Sequence, residues 1–401
     1  MKLTRFSIMA CRHFKNCGLR DFDAQSSYNR HMKIVFDGRM LGWTGIGRYC
    51  QRVLDQLQEL DSQNEYIVLI WSGDKIKWVP SRPNFAVREV KAAAYSVREQ
   101  LELPWVLRQL KPDLVHFPHF TVPLLFNGPY VVTIHDLILV DFKNVRGDGL
   151  AKLRYEVKYF ASRLVLSHAI RRARLVLTGT DYIKDRLAAT FKIDTEQVAT
   201  IPLGVDALAY DAPISGLPNI PYIFSLGNSY PYKNLDLLVE AFAASRFRHN
   251  GGKLILGGPD DYFRTELKAR VKKLNLIGPV EFAGRVSDVE LVRLYTQATL
   301  FVFPSLAEGF GLPGLEAMQY GTPVLSAKAS CLPEVYGEAA AYFDPNSATK
   351  LTAAIDSLVN DQAKLAQLIT LGHERTLRFE WKDTAERTLA AYRVAHKRKT
   401  D

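Results

Sequence analysis

Cysteine is scarce in this chain, four in 401 residues, and Cys11, Cys17, Cys50 and Cys331 are scattered so that only the first two lie near each other. That usage excludes a disulfide framework and fits a reducing compartment. Long apolar runs are missing as well. None approaches the roughly eighteen residues a membrane-spanning helix needs, and no early apolar stretch reads as a secretory signal. The expectation is a cytoplasmic protein, with peripheral contact at the inner face of the cytoplasmic membrane left open. The segment CRHFKNC, with His13 and His31 nearby, matches no strong zinc spacing, so no metal site is predicted.

What is present points to a large two-part enzyme. A hydrophobic content of 47% over this length exceeds what one core usually organises, so two domains are expected. The net charge of +10 favours anionic partners: nucleotides, phosphorylated substrates, acidic membrane surfaces or nucleic acid. A nucleic-acid or polyanion binder would interleave exposed aromatics with basic residues along a track. Here the aromatics fall mostly inside apolar runs, and nucleic acid is not the expected partner.

Residues 1–31 are polar, basic and aperiodic and are read as a flexible extension. From 32 to 210, short apolar runs such as KIVFD, YIVLIW, LVHFPH, VVTIHD and RLVLTG alternate with amphipathic segments, the pattern of parallel strands covered on both faces. The stretch 211–221, DAPISGLPNIP, is rich in turn formers and is read as a linker. The alternation resumes over 222–380. Residues 381–401 are expected to form a helix packing back toward the first domain, with a polar tail. The fold class is α/β, two Rossmann-like domains facing a cleft, with ligands beyond the carboxyl ends of the strands.

The chemistry concentrates in SLAEGFGLPGLEAMQYGTP, residues 305–323. TLFVFPS before it reads as a buried strand, and Pro313 suits a first helical turn. Glu308 then stands on the loop and Glu316 within the helix. The run Gly309, Phe310, Gly311 and Leu312 leads into that helix, where free amides favour a phosphate and glycines permit close approach. A carboxylate accepts two hydroxyl hydrogen bonds at once, so the pair suits a sugar nucleotide. SLGNSYPYKN places Lys233 before another helix, where a cation can meet a diphosphate. GRMLGWTGIGRY offers Gly45, Gly47 and Arg48 after the first strand. This glycine pattern does not match G-x-G-x-x-G and is weak by itself.

Taken together, TGIGRY, TIHDL, IPLGVD, YPYKN and EGFGLPGLEAM, in this order along the chain, resemble the retaining GT-B glycosyltransferases of family 4, especially bacterial mannosyltransferases, over about residues 32–395. The resemblance implies that Glu308 contacts hydroxyls of the donor hexose, Glu316 holds the ribose and Lys233 neutralises the leaving diphosphate. It further implies that His135 reaches the transferred sugar from the first domain, while Gly45 and Gly47 approach the donor phosphates. The implied donor is a nucleotide sugar, GDP-mannose first, with glucose, rhamnose and N-acetylglucosamine donors as alternatives. The implied acceptor is a glycan or lipid-linked saccharide, and no metal or other cofactor is needed. Tyr232 stands where relatives often carry arginine, which leaves Arg48 or Arg285 to compensate. Asp37 and Asp136 read as shaping their turns. The segment AKLRYEVKYFASRLVLSHAIRRARLV reads as an amphipathic helix on the first sheet, whose solvent face with Lys152, Lys158, Arg171 and Arg172 is a candidate contact for an anionic membrane.

Overall fold

The computed structural model describes residues 31–74, 78–143, 149–206 and 220–398. Cys11, Cys17, almost all of the expected flexible extension and most of the expected linker lie outside the described residues.

Seven strands form the first sheet: β1 (Lys33–Asp37), β2 (Glu65–Trp71), β3 (Phe85–Val90), β4 (Leu114–Phe117), β5 (Tyr130–Thr133), β6 (Leu175–Thr178) and β7 (Val198–Thr200), in the order β3-β2-β1-β4-β5-β6-β7. Six form the second: β8 (Tyr222–Leu226), β9 (Lys253–Gly257), β10 (Val280–Gly284), β11 (Leu300–Phe303), β12 (Val324–Ala327) and β13 (Ala340–Phe343), in the order β10-β9-β8-β11-β12-β13. All pairings within the two sheets are parallel.

The inner strands are short and apolar because both faces are covered, whereas the edge strands β3 and β10 are partly exposed. Along β1, Ile34 and Phe36 enter one apolar cluster and Val35 enters the other, as a period of two requires. The helices Val97–Leu110, Leu150–Arg172 and Asp181–Phe191 close one face through Leu107, Ile170 and Leu187. The helices Gly45–Leu60 and Trp381–Lys397 close the other through Val53, Leu54 and Tyr392. The last helix is tied down where the chain returns. The Val205 N–H donates to the Phe379 carbonyl at 3.0 Å, and a Cβ on Gly204 would stand 2.3 Å from the Trp381 nitrogen.

In each sheet the strand order reverses once, between β1 and β4 and between β8 and β11. Connections leave on opposite faces at such a point, which opens a crevice at the carboxyl ends of the strands. Three segments singled out in the sequence sit at these two points, 38–47 after β1, 227–233 after β8 and 305–311 after β11, joined there by 118–120 after β4, whereas His135 follows the next strand, β5.

Elements not anticipated from the sequence include the helices Ile138–Asp141, Arg246–His249 and Leu332–Tyr336 and strand β13, all too short to establish a period. The helix Leu150–Arg172 forms as expected, but its outward face is not simply basic. Leu153, Val157, Phe160 and Leu164 are all more than half exposed, because apolar residues continue around the helix beyond the stripe the sheet can cover.

Two histidines held neutral, His116 fully buried and His135 partly so, make the first domain acid-sensitive. His116 on β4 lies with Nδ1 2.6 Å from the Tyr392 hydroxyl and Nε2 2.8 Å from Thr133 Oγ1, and burial holds it down to about 3. Burial likewise holds His135 down to about 4. Below about pH 6.5 the unfolded chain takes up protons that the folded chain refuses, so stability is fully present above that pH and falls toward pH 4. The expected loss approaches about 1.4 kcal/mol per pH unit for each histidine. Urea midpoints that stay constant on acidification through this window would contradict it.

Candidate active site

Neighbouring strands β8 and β11 bring their following loops together. Lys233 ends the single turn Pro231–Lys233, and its Nζ donates to Glu308 Oε1 at 2.5 Å. The Glu308 backbone is clamped by Ser330, whose Oγ accepts from the Glu308 N–H at 3.2 Å and donates to the Glu308 carbonyl at 2.7 Å. Tyr232 is buried, with its ring 5.8 Å from that of Phe142 in the first domain. The Lys233 ammonium lies 5.5 Å from the Tyr232 ring centroid and 5.4 Å from that of Phe303. The Tyr232 ring therefore offers its negative π-face to this cation.

Glu316 is buried in the helix Leu312–Gln319. Its Oε1 accepts from Arg48 Nη1 of the first domain, and its Oε2 accepts from the Tyr295 hydroxyl at 3.0 Å. Arg48 also lies 3.9 Å from Asp206, which pairs with Arg52 at 2.8 Å. Arg48 thus stands on the Glu316 side of the cleft, not beside Lys233, and Arg285 is exposed after β10. Gly311 opens the Leu312–Gln319 helix at φ +98°, a conformation suited to glycine, and its carbonyl accepts from the Tyr336 hydroxyl at 2.6 Å.

The two domains meet directly over this site. A Cβ on Gly309 would stand 1.8 Å from the His135 carbonyl oxygen, so the Gly309 backbone rests on the end of β5's loop. Thr180 Oγ1 donates to the Gly309 carbonyl at 3.2 Å, and Phe310 packs over Gly179. The Glu334 carboxylate accepts from the Asp181 and Tyr182 N–H groups at 2.8 and 2.9 Å, capping a helix of the other domain. His135 Nε2 lies 3.0 Å from the Pro118 carbonyl. A carbonyl only accepts, so Nε2 carries the hydrogen and Nδ1 presents the lone pair. Next to it, burial pushes the Asp136 carboxyl up, and nearby Glu308 adds to the rise. Gly45 is exposed at the start of its helix. Gly47 is buried where a Cβ would stand 2.5 Å from the Leu41 carbonyl, which gives that glycine a packing role.

Of the residues singled out in the sequence, Lys233, Glu308, His135 and Gly309 therefore gather in one place, and Arg48 and Glu316 in another. Tyr295, Ser330, Thr180 and Glu334 were missed. Each acts through a partner distant in sequence, and no local pattern marks it. Among the described residues no group of three or more His, Cys, Asp or Glu is arranged to hold a metal ion, and no helix is long and apolar enough to cross a membrane.

Comparison with known proteins gives two family matches, "Glycosyltransferase Family 4" over residues 43–207 and "Glycosyl transferases group 1" over residues 213–375. The O-antigen chain mannosyltransferase RfbU of Salmonella typhimurium is 30% identical over 79% of this chain and 87% of its own. The O-antigen chain mannosyltransferase B of Escherichia coli is 27% identical over 90% of this chain and 100% of its own. Among solved structures, sucrose-phosphate synthase from Thermosynechococcus elongatus superposes with a TM-score of 0.72 at 20% identity, covering 91% of this chain and 98% of that one. HepE of Anabaena, solved with UDP and glucose, superposes with a TM-score of 0.69 at 20% identity, covering 90% of this chain and 100% of that one.

Proposed function

Because the chain belongs to the GT-B glycosyltransferases of family 4, we propose that it transfers mannose from GDP-mannose, with retention, to a glycan or lipid-linked saccharide acceptor. The observation that carries the reaction is the Lys233–Glu308 pair at the second sheet's reversal point, covered by Gly309 on His135. The mannose assignment is supported by the mannosyltransferase relatives.

In this reading Glu308 accepts hydroxyls of the donor hexose and Glu316 accepts those of the ribose. The His135 Nδ1 lone pair faces a sugar hydroxyl from the opposite domain. The amides from Gly309 to Leu312 and the Lys233 ammonium take the diphosphate. As the bond from the anomeric carbon to the phosphate oxygen breaks, the acceptor hydroxyl attacks from the same face, and its proton passes to the departing phosphate oxygen. Closure of Gly309 onto His135 keeps water from competing for the sugar.

The test is calorimetric titration of GDP, UDP, ADP and dTDP and their sugars, in EDTA, into wild-type protein and Glu316→Gln. GDP and GDP-mannose are expected to bind, and the substitution is expected to weaken them by roughly 10- to 150-fold, the worth of a hydrogen bond to a charged acceptor. Preference for another nucleotide would move the donor to the sugar it carries, and undiminished binding to the variant would remove the ribose role.

A lipid-linked acceptor also accounts for the outer face of the first domain. Val97, Leu101 and Trp105 on one helix and Leu153, Val157, Phe160 and Leu164 on another are exposed on the same side of the sheet, flanked by Lys152, Arg154 and Lys158. An apolar stripe edged with cations suits the surface of an anionic bilayer. Flotation with vesicles containing anionic lipid is expected for wild type and lost in the double variant Val157→Asp, Phe160→Asp, with nucleotide binding unchanged. Flotation that ignores lipid charge would discard the electrostatic part.

A further inference from the structure

At the carboxyl ends of β1, β3 and β4, beside the site but used by nothing above, four rings form a shelf. Trp43 and Tyr95 are stacked with centroids 5.9 Å apart and planes 8° apart, and they are 42% and 45% exposed. Tyr95 meets His119 and Phe120 edgewise at 5.8 and 5.7 Å, and its hydroxyl lies 2.5 Å from His119 Nε2. Large aromatics left half in water at a cleft are costly unless something covers them. Tyr95 also holds φ +62°, a left-handed conformation unfavourable by about 1 kcal/mol or more for a residue with a Cβ.

The protein maintains that arrangement from beneath. The Tyr95 N–H donates to Glu99 Oε2 at 2.9 Å, and Glu99 Oε1 accepts from Arg39 Nη2 at 2.6 Å. Arg39, fully buried, also donates to both oxygens of Asp37 at 2.7 Å. The turn carrying Trp43 is fixed where the Gly42 N–H donates to Asp74 Oδ2 at 3.1 Å. The buried Arg39–Asp37–Glu99 network thus pre-positions Tyr95, and a separate carboxylate, Asp74, fixes the turn of Trp43. Burial, reinforced by His135, holds His119 down to about 3, so the Tyr95–His119 edge is neutral. The shelf offers π-faces and a neutral hydrogen-bonding edge, which excludes an anion as the natural occupant. A pyranose ring has the complementary form, one face of C–H groups and a rim of hydroxyls.

We infer that the Trp43–Tyr95 shelf is the acceptor subsite, stacking the C–H face of an acceptor sugar ring while Tyr95 and His119 meet its hydroxyl rim. This rests on the glycosyl-transfer reading above. The shelf adjoins the site because His119 follows Pro118, whose carbonyl holds His135. An acceptor on the shelf would therefore lie against the same Pro118–Phe120 loop that holds His135.

Saturation-transfer NMR with methyl α-pyranosides of mannose, glucose, galactose and N-acetylglucosamine tests this on the full chain, with a nucleotide sugar titrated in parallel. Wild type is expected to bind at least one glycoside through its ring C–H protons. Trp43→Ala is expected to weaken it about tenfold, Trp43→Phe to retain it, and both variants to keep wild-type nucleotide-sugar affinity. Glycoside binding unaltered in Trp43→Ala, or none in a wild type that binds a nucleotide sugar, would overturn the subsite and leave the transfer reading standing. Failure of the wild type to bind any nucleotide sugar would instead sink that reading.

Discussion

Lys233→Ala is expected to slow the chemical step by roughly 10² to 10³, a barrier increase of about 2.7 to 4 kcal/mol, the range for losing one preorganised charge-stabilising group. Burial acts to lower this lysine's pKa, but Glu308 first, and then Tyr232 and Asp136, outweigh it and leave the pKa above its ordinary value. The ammonium is therefore charged throughout the working pH range and held in place before the donor's phosphates acquire their leaving charge. Its side chain is 14% exposed and that of Glu308 is 12% exposed, so water screens the pair poorly and the field on a departing diphosphate is strong. The alanine variant loses this cation and leaves the Glu308 and Asp136 carboxylates uncompensated, which repels the developing negative charge further. Single-turnover transfer at saturating donor isolates the step, and a thermal melt checks that the variant folds. A folded variant with the wild-type single-turnover rate would show that the leaving group is stabilised elsewhere.

The sequence revealed what depends on local period and on strand-end position. Runs such as KIVFD and TLFVFPS could be read as covered strands, so the loops after them could be named as candidate site loops, and Lys233 and Glu308 followed, whereas His135 entered only through the family resemblance. What it could not reveal depends on which strands become neighbours. Arg48 could be read as a phosphate contact, and nothing local marks it as the partner of Glu316, which lies 268 positions away and takes its guanidinium. Tyr232 likewise seemed only a missing arginine until Phe142 and Lys233 were found on either side of it. The exposed stripe on Leu150–Arg172 escaped for the opposite reason. Apolar residues lie all around that helix, and only its placement over one edge of the sheet decides which of them remain uncovered.

Gly309→Ala is expected to cost at least about 10² in turnover while leaving thermal stability nearly unchanged, because it acts on closure alone. The added methyl would stand 1.8 Å from the His135 carbonyl oxygen, 2.6 Å from its carbon and 3.1 Å from Asp136 Cβ. Two of these partners are main-chain atoms at the end of a buried strand and cannot rotate aside, so the second domain must back away by more than an ångström. Misplacement on that scale is enough to cost a hundredfold when reacting groups are contributed from both sides of a cleft. Each sheet keeps its own covered core, and the residue lies on a surface loop, so neither domain should unfold more easily. Nucleotide affinity should fall little, since Glu316 and Lys233 both belong to the second domain, whereas hydrolysis of the donor by water should rise relative to transfer as the lid fits less tightly. Turnover, donor hydrolysis and small-angle scattering measured on the same preparation decide the matter. Wild-type turnover in the alanine variant would mean that catalysis does not require the Gly309 loop to rest on His135.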